Sequence, residues 1–246
     1  MVIALDIGNS RIKSGVRNGD DIVMTSTLTH PVRDAGSYLD ELGLSCPADS
    51  VIISSVVECL NGTFRDFSPN PAASGVIFVD YRSTTGITFK VSNPELVGSD
   101  RIANAVGGYS AVNGPVIIVD MGSATTLTVV GKGCEFLGGC IMPGVNMMAA
   151  SLHEETSKLP VIDFIVPEHA IGSNTVESIR AGLSFGVAGA VERMIDEIRM
   201  EIGYTMNVIL TGGLCERFQG LVRGVDIIDP LITIRGLFEI HDKAVM

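Results

Sequence analysis

The chain has 246 residues, 46% of them hydrophobic and 18% charged, with a formal charge of −11 and no Trp. That length accommodates two moderate domains with aliphatic cores, and the composition excludes general disorder. The acidic balance argues against nucleic acid or an anionic membrane as the main partner, and no uncharged apolar stretch is long enough to span a membrane.

The chain opens on "IALDIGNSRIKSG" (3–15). An apolar run reaches Asp6 and Gly8, and Ile12, Ser14 and Val16 then alternate, so the pattern predicts strand, Asp-x-Gly turn, strand. Met1 leads straight into this strand, without the basic start and longer apolar run of a signal peptide, and a cytoplasmic protein is expected. Residues 33–44 read as a helix, and 51–57 and 75–81 as buried strands. Residues 100–114 read as a helix stopped by Gly114 and Pro115.

Directly after that stop comes "VIIVDMGSATTLTVVG" (116–131). Val2, Ile3, Asp6 and Gly8 recur there as Val116, Ile117, Asp120 and Gly122 at a constant offset, followed by alternating Leu127 and Val129. The repeat predicts two similar α/β halves, 1–114 and 115–246. In the second half, Asn174 caps a long helix, with Glu177 at its third position. Ile179, Leu183, Val187, Ala190, Val191, Met194, Ile195 and Ile198 form its apolar stripe. Gly182, Gly186 and Gly189 leave a strip for close approach of another helix or another subunit. "NVILTGG" (207–213) reads as a strand ending in a Gly pair.

Neither a Walker A sequence nor a Gly-x-Gly-x-x-Gly opening a helix is present, so nucleotide binding through those devices is not expected. The two Asp-x-Gly hairpins offer another device. Their glycines let backbone N–H groups point into a turn and bind phosphate, with Asn9, Ser10, Ser123 and Thr125 adding side-chain donors. Taken singly, each is better read as a plain turn with an Asx hydrogen bond, whereas two matched copies favour a phosphate clamp. The carboxylates of Asp6 and Asp120 suit a phosphate only with a cation between, and magnesium binds through few carboxylates. In "NPELVGSDR" (93–101), Asp100 and Arg101 sit at a helix start. Asp100 there is either a favourable first-turn acid or a general base for an attacking hydroxyl, with Arg101 steadying a carboxylate or phosphoryl oxygen. "GGCIMPG" (138–144) and "LTGG" (210–213) allow a flat ligand to approach, or simply turn.

Cys46, Cys59, Cys134, Cys140 and Cys215 form no Cys-x-x-Cys pair and are odd in number, which predicts reduced thiols. His30, His153, His169 and His241 lack metal-ligand spacing.

Together these motifs resemble the type III pantothenate kinases, members of the acetate and sugar kinase, heat-shock chaperone and actin superfamily. "DIGNS" resembles the family's first phosphate motif, "NPELVGSDR" its pantothenate motif, "DMGSATT" its second phosphate motif and "LTGG" its adenosine motif. "GGCIMPG", "SKLP" (157–160) and "GSNTVESIRAG" (172–182) also resemble family segments. Ser123 stands where Thr is more usual; both carry a hydroxyl. The resemblance implies two duplicated ribonuclease H-like (actin-like ATPase) domains, each a mixed sheet flanked by helices, with the active site in the cleft between them. It implies ATP-dependent phosphorylation of pantothenate, the first step toward coenzyme A. By position it makes Asp100 the base and Gly98, Ser99, Asp100, Arg101 and Thr175 the substrate contacts. Asp6, Ile7, Gly8, Asn9, Ser10, Arg11, Ile12 and Lys13 become the ATP phosphate loop, with Ser123 a further ATP contact. It implies a potassium or ammonium ion at Asp120, Mg2+ near Asp6, and a homodimer. Two alternatives stand beside it: a same-fold kinase for another hydroxy acid, and a non-catalytic regulator of gene expression.

Overall fold

The structure, a computed structural model, describes residues 1–19, 21–44, 48–65 and 75–245. The strands are β1 (Val2–Ile7), β2 (Arg11–Asn18), β3 (Asp21–Leu28), β4 (Ser50–Ser55), β5 (Val76–Phe78), β6 (Thr88–Phe89), β7 (Val116–Met121), β8 (Ala124–Gly131), β9 (Glu135–Pro143), β10 (Asn207–Thr211) and β11 (Ile227–Ile228). The helices are α1 (Ala35–Glu41), α2 (Glu58–Arg65), α3 (Ser99–Val112), α4 (Val145–Glu154), α5 (Thr175–Ile202) and α6 (Ile232–Val245). The chain forms two compact units: Met1–Ala111 with Cys134–Phe136 and Leu231–Met246, and Val112–Gly133 with Leu137–Pro230.

The first unit holds a mixed sheet in the order β3-β2-β1-β4-β5, so the opening strand is the central one. β1 pairs antiparallel with β2 and parallel with β4. Strand alternation then divides its residues between two layers. Ile3, Leu5 and Ile7 join Val51 and Ile53 under α1 and α2, around Tyr38, Leu60 and Phe64. Ala4 and Ile52 face the opposite way, into Ile102, Ala103 and Val106 of α3 and Ile234, Leu237 and Phe238 of α6. Asp6 and Ser54 follow Ala4 and Ile52 on that second face. Helices α3 and α6 meet backbone to backbone, since a Cβ on Gly236 would lie 1.9 Å from the Ala103 carbonyl oxygen.

The second unit arranges β11-β10-β7-β8-β9. Ile117, Val119, Met121, Leu127, Val208 and Leu210 bury one face against α4 and α5. Asp120 points to the other face, with its register partners Thr126 on β8 and Thr211 on β10.

The structure departs from the sequence reading in several places. The last segment, read with the second half, belongs to the first unit, because α6 packs on β1 and β4. Residues 134–136 also join that unit. There β6 pairs with Glu135 and Phe136, Lys90 binds Glu135 at 3.2 Å, and the Phe89 and Phe136 rings lie 5.5 Å apart. Helix α3 ends at Asn113, whose φ of 48° lies in the left-handed region that Asn tolerates, rather than at Gly114. In α5 Ala190 is exposed, and Ala188 is buried in the core. Cys59, Cys134, Cys140 and Cys215 form no disulfide, and Cys46 lies outside the described residues. No helix among the described residues is long and apolar enough to cross a membrane.

Candidate active site

In the first unit the site gathers where β1, β4 and α3 meet. The β1–β2 turn is closed by the Gly8 N–H donating to the Arg11 carbonyl at 3.0 Å. That amide is therefore used inside the turn, and a phosphate cradle there would draw on the other amides of the loop. Asn9 and Ser10 form the exposed tip. Ile7 and Ile12 are fully buried in the core, so their side chains meet no ligand. Arg11 is exposed and donates to Ser26 Oγ at 3.3 Å. Thr29 Oγ1 donates to the Gly8 carbonyl at 2.6 Å and so fixes the turn from β3's end. Lys13 is the register partner of Asp6 across the hairpin.

Asp6 is half-buried, and the hydroxyl of Ser54, at 0% exposure, donates to its Oδ1 at 3.3 Å. Ser54 Oγ in turn lies 3.1 Å from Ser99 Oγ. Ser99 accepts from the Ser55 N–H at 2.8 Å. These contacts dock the first turn of α3 on the ends of β1 and β4. Asp100 follows at once, half-buried, with its Oδ1 accepting from the Arg101 N–H at 2.8 Å. A Cβ on Gly98 would lie 2.5 Å from Asp100 Oδ1, so a side chain there would displace that carboxylate. The Arg101 guanidinium stands over the Phe136 ring, 5.4 Å from its centroid.

In the second unit the motif ends converge on Asp120. The β7–β8 turn closes with the Gly122 N–H on the Ala124 carbonyl at 3.1 Å. It is one residue tighter than its first-unit counterpart: Met121 pairs with Thr125, where Ile7 pairs with Ile12. A Cβ on Gly212, whose φ is +93°, would lie 2.4 Å from Asp120 Oδ1, so the "LTGG" turn abuts that carboxylate. A Cβ on Gly144 would lie 2.2 Å from the Ser123 carbonyl oxygen, which sets the end of "GGCIMPG" against the β7–β8 turn. Thr125, read as a donor, is buried at 1% exposure and points away from Asp120, as alternation requires. The Thr211 hydroxyl is fully buried and finds no protein partner.

Thr175 is exposed at the first turn of α5. Asn174 caps that helix by accepting from the Glu177 N–H at 3.0 Å. The Glu177 carboxylate accepts from Ser173 N at 2.8 Å and Ser173 Oγ at 2.6 Å, and these bonds hold its pKa below the usual carboxylate value. Gly182, Gly186 and Gly189 lie on the exposed side of α5, where an added Cβ would meet nothing within 4 Å.

Ser54 sits in a stretch that reads as a buried strand, and Thr211 inside "LTGG", where the pattern singles out the glycines and not the hydroxyl.

The sequence model of the type III pantothenate kinase family matches residues 2–197. The chain belongs to that family. A type III pantothenate kinase of Agathobacter rectalis is 33% identical over 258 residues, covering 99% of this chain and 97% of that one. One from Dehalococcoides mccartyi is 36% identical over 245 residues, covering 96% and 93%. Among solved structures, the activator of 2-hydroxyisocaproyl-CoA dehydratase from Clostridium difficile, with bound ADPNP, aligns with a TM-score of 0.55 at 15% identity over 98% and 95% of the two chains. A Campylobacter jejuni protein described as a Baf family transcriptional activator aligns with a TM-score of 0.62 at 19% identity over 98% of each. At such identities these likenesses concern the fold: mixed sheets flanked by helices, as in the actin-like ATPases. The pantothenate kinase family assignment rests on the closer sequence relatives.

Proposed function

We propose that this chain transfers the γ-phosphoryl group of ATP to pantothenate, giving 4'-phosphopantothenate on the way to coenzyme A, with Asp100 as general base. Membership of the type III pantothenate kinase family supports the reaction. The observation that carries the base assignment is the half-buried Asp100 carboxylate at the start of α3, docked through Ser99 beside the strand end that bears Asp6.

In this reading Asp100 accepts the proton of the substrate's primary hydroxyl as that oxygen attacks the γ-phosphorus. The new O–P bond forms, the bond to the bridging oxygen of ADP breaks, and ADP leaves. Gly98 and Arg101 bind pantothenate around the base and Ser99 contributes through its backbone, with Arg101 facing the substrate's carboxylate and Thr175 giving a further contact. Asn9 and Ser10 hold ATP phosphate oxygens at the loop tip, Lys13 offsets their charge, and Ser123 contacts the nucleotide.

The donors suit two ions of different kinds. Among the described residues no cluster of three or more His, Cys, Asp or Glu could hold a metal, so Mg2+ would rest on Asp6 together with nucleotide oxygens and water. A potassium or ammonium ion fits Asp120, beside which the buried Thr211 hydroxyl lacks a protein partner. Bound there, such cations neutralise phosphate charge. The exposed glycine face of α5 supports a homodimer.

An assay of ADP release with pantothenate, with and without potassium, tests the reading. Pantothenate-dependent ADP formation is expected. Its absence, with turnover on another hydroxy acid, would move the substrate assignment to that acid.

A further inference from the structure

We propose that Ser54 is a positioning residue for the phosphoryl transfer, acting with Ser99 as a two-hydroxyl relay that sets the Asp6 and Asp100 carboxylates on one frame. The proposal deepens the reading above and rests on the roles it gives to Asp6 and Asp100.

Hydrogen-bond arithmetic gives the relay a direction. An ionised Asp6 only accepts, so the single Ser54 proton goes to Asp6 Oδ1 at 3.3 Å. Ser54 Oγ then stands as acceptor toward Ser99, 3.1 Å away. Ser99 receives the Ser55 N–H at 2.8 Å and shares its own proton between Ser54 Oγ and the Ser55 carbonyl, 3.1 Å away. The order therefore runs from a backbone amide through two hydroxyls to a carboxylate. Bonds aligned in one sense polarise one another, and the surroundings are dry, with Ser54 at 0% and Ser99 at 7% exposure.

On that face of β4 the buried Ser50 hydroxyl meets no partner, whereas the Ser54 hydroxyl contacts both Asp6 and Ser99. Ser54 links the strand carrying Asp6 to the helix turn carrying Asp100. Its removal leaves Ser99 with both Ser55 backbone partners, so α3 stays docked while the Asp6 carboxylate loses the bond that ties it to β4. Misplacement of a reacting group by about 1 Å costs up to roughly a hundredfold in rate.

The experiment compares Ser54→Ala, Ser99→Ala and the double variant with the parent enzyme, by pantothenate kinetics, ATP binding and thermal melts. For Ser54→Ala, kcat is expected to fall roughly ten- to hundredfold. Both KM values and the melting temperature are expected to stay near the parent's. The double variant is expected to be no slower than the slower single, because both break one chain. Parent kcat in Ser54→Ala overturns the relay, and so do losses that multiply in the double variant. Should the alanine variant unfold, Ser54→Cys keeps the volume with a weak donor and must show the same slowed turnover; parent turnover there overturns the proposal. Asp100→Asn is run alongside. Its retention of turnover would remove the base assignment alone, whereas the relay is judged on the Ser54 variants.

Discussion

Asp6 and Lys13 are register partners across the β1–β2 hairpin, so their side chains leave the same face of the central strand pair. The second hairpin gives Asp120 the partner Thr126 instead, because its turn is one residue shorter. The repeat thus preserves its carboxylate and changes what stands opposite.

Lys13→Met is expected to raise the KM for ATP roughly tenfold, the equivalent of one lost charge-assisted contact. The fold should persist, since Lys13 is only half-buried. Nucleotide titration and steady-state kinetics check it. An unchanged affinity and kcat would remove Lys13 from the phosphate loop.

Asp100→Asn keeps an acceptor for the Arg101 N–H but loses the basic carboxylate. Turnover should drop by at least about a hundredfold, with stability within about 0.5 kcal/mol of the parent. Product formation and a denaturant titration are the measurements. Substantial activity in a folded variant would sink the base assignment.

The Gly212 and Gly213 pair separates backbone need from composition. Gly212 has φ +93° and its Cβ would lie 2.4 Å from Asp120 Oδ1, whereas a Cβ on Gly213 meets nothing within 4 Å. Gly212→Ala should cost at least about 1–2 kcal/mol from the backbone alone and should weaken ATP binding. Gly213→Ala should leave both near the parent. Equal behaviour of the two variants would contradict the placement of the "LTGG" turn against Asp120.

Arg17 and Asp242 join β2 to α6 through two bonds of 2.6 and 2.7 Å. The Arg17 guanidinium holds the Asp242 carboxyl below its ordinary value. A depressed carboxylate contributes stability above its unfolded pKa and loses it as pH falls through the folded value. The pair is about one-third exposed on each side, and solvent screening limits it to about 1 kcal/mol. Asp242→Asn should therefore melt lower than the parent near neutral pH, and the gap should close below about pH 4. Melting curves across that range are the check; a gap independent of pH would assign the effect to packing.

Much of the candidate site's local geometry was legible in the sequence, and the reasons differ by residue. Asp6, Gly8, Asp120 and Gly122 announced themselves because a turn after an apolar run is a local event repeated twice. Asn174 and Glu177 were legible as a cap, and the helix starts there with Asn174 accepting from the Glu177 N–H, while the Glu177 carboxylate takes its bonds from Ser173. Which amides the turn leaves open was not legible, since only the closed turn reveals that the Gly8 proton is taken by Arg11. Thr125 was misread, because a turn one residue shorter shifts which residues stand opposite Asp120 and leaves Thr125 on the other face.

By itself, the sequence determined the two hairpins, the long capped helix and the motifs that assign the family, because periodicity and turn chemistry depend on near neighbours. Only the tertiary structure decided that the last helix belongs with the first unit, packed through Gly236 against α3. It alone brought Ser54 to Asp6 and Ser99, across separations of 48 and 45 residues. No local pattern records such a contact. It arises when alternation sends one strand end and one helix start to the same face of a sheet, and burial then obliges their polar atoms to find each other.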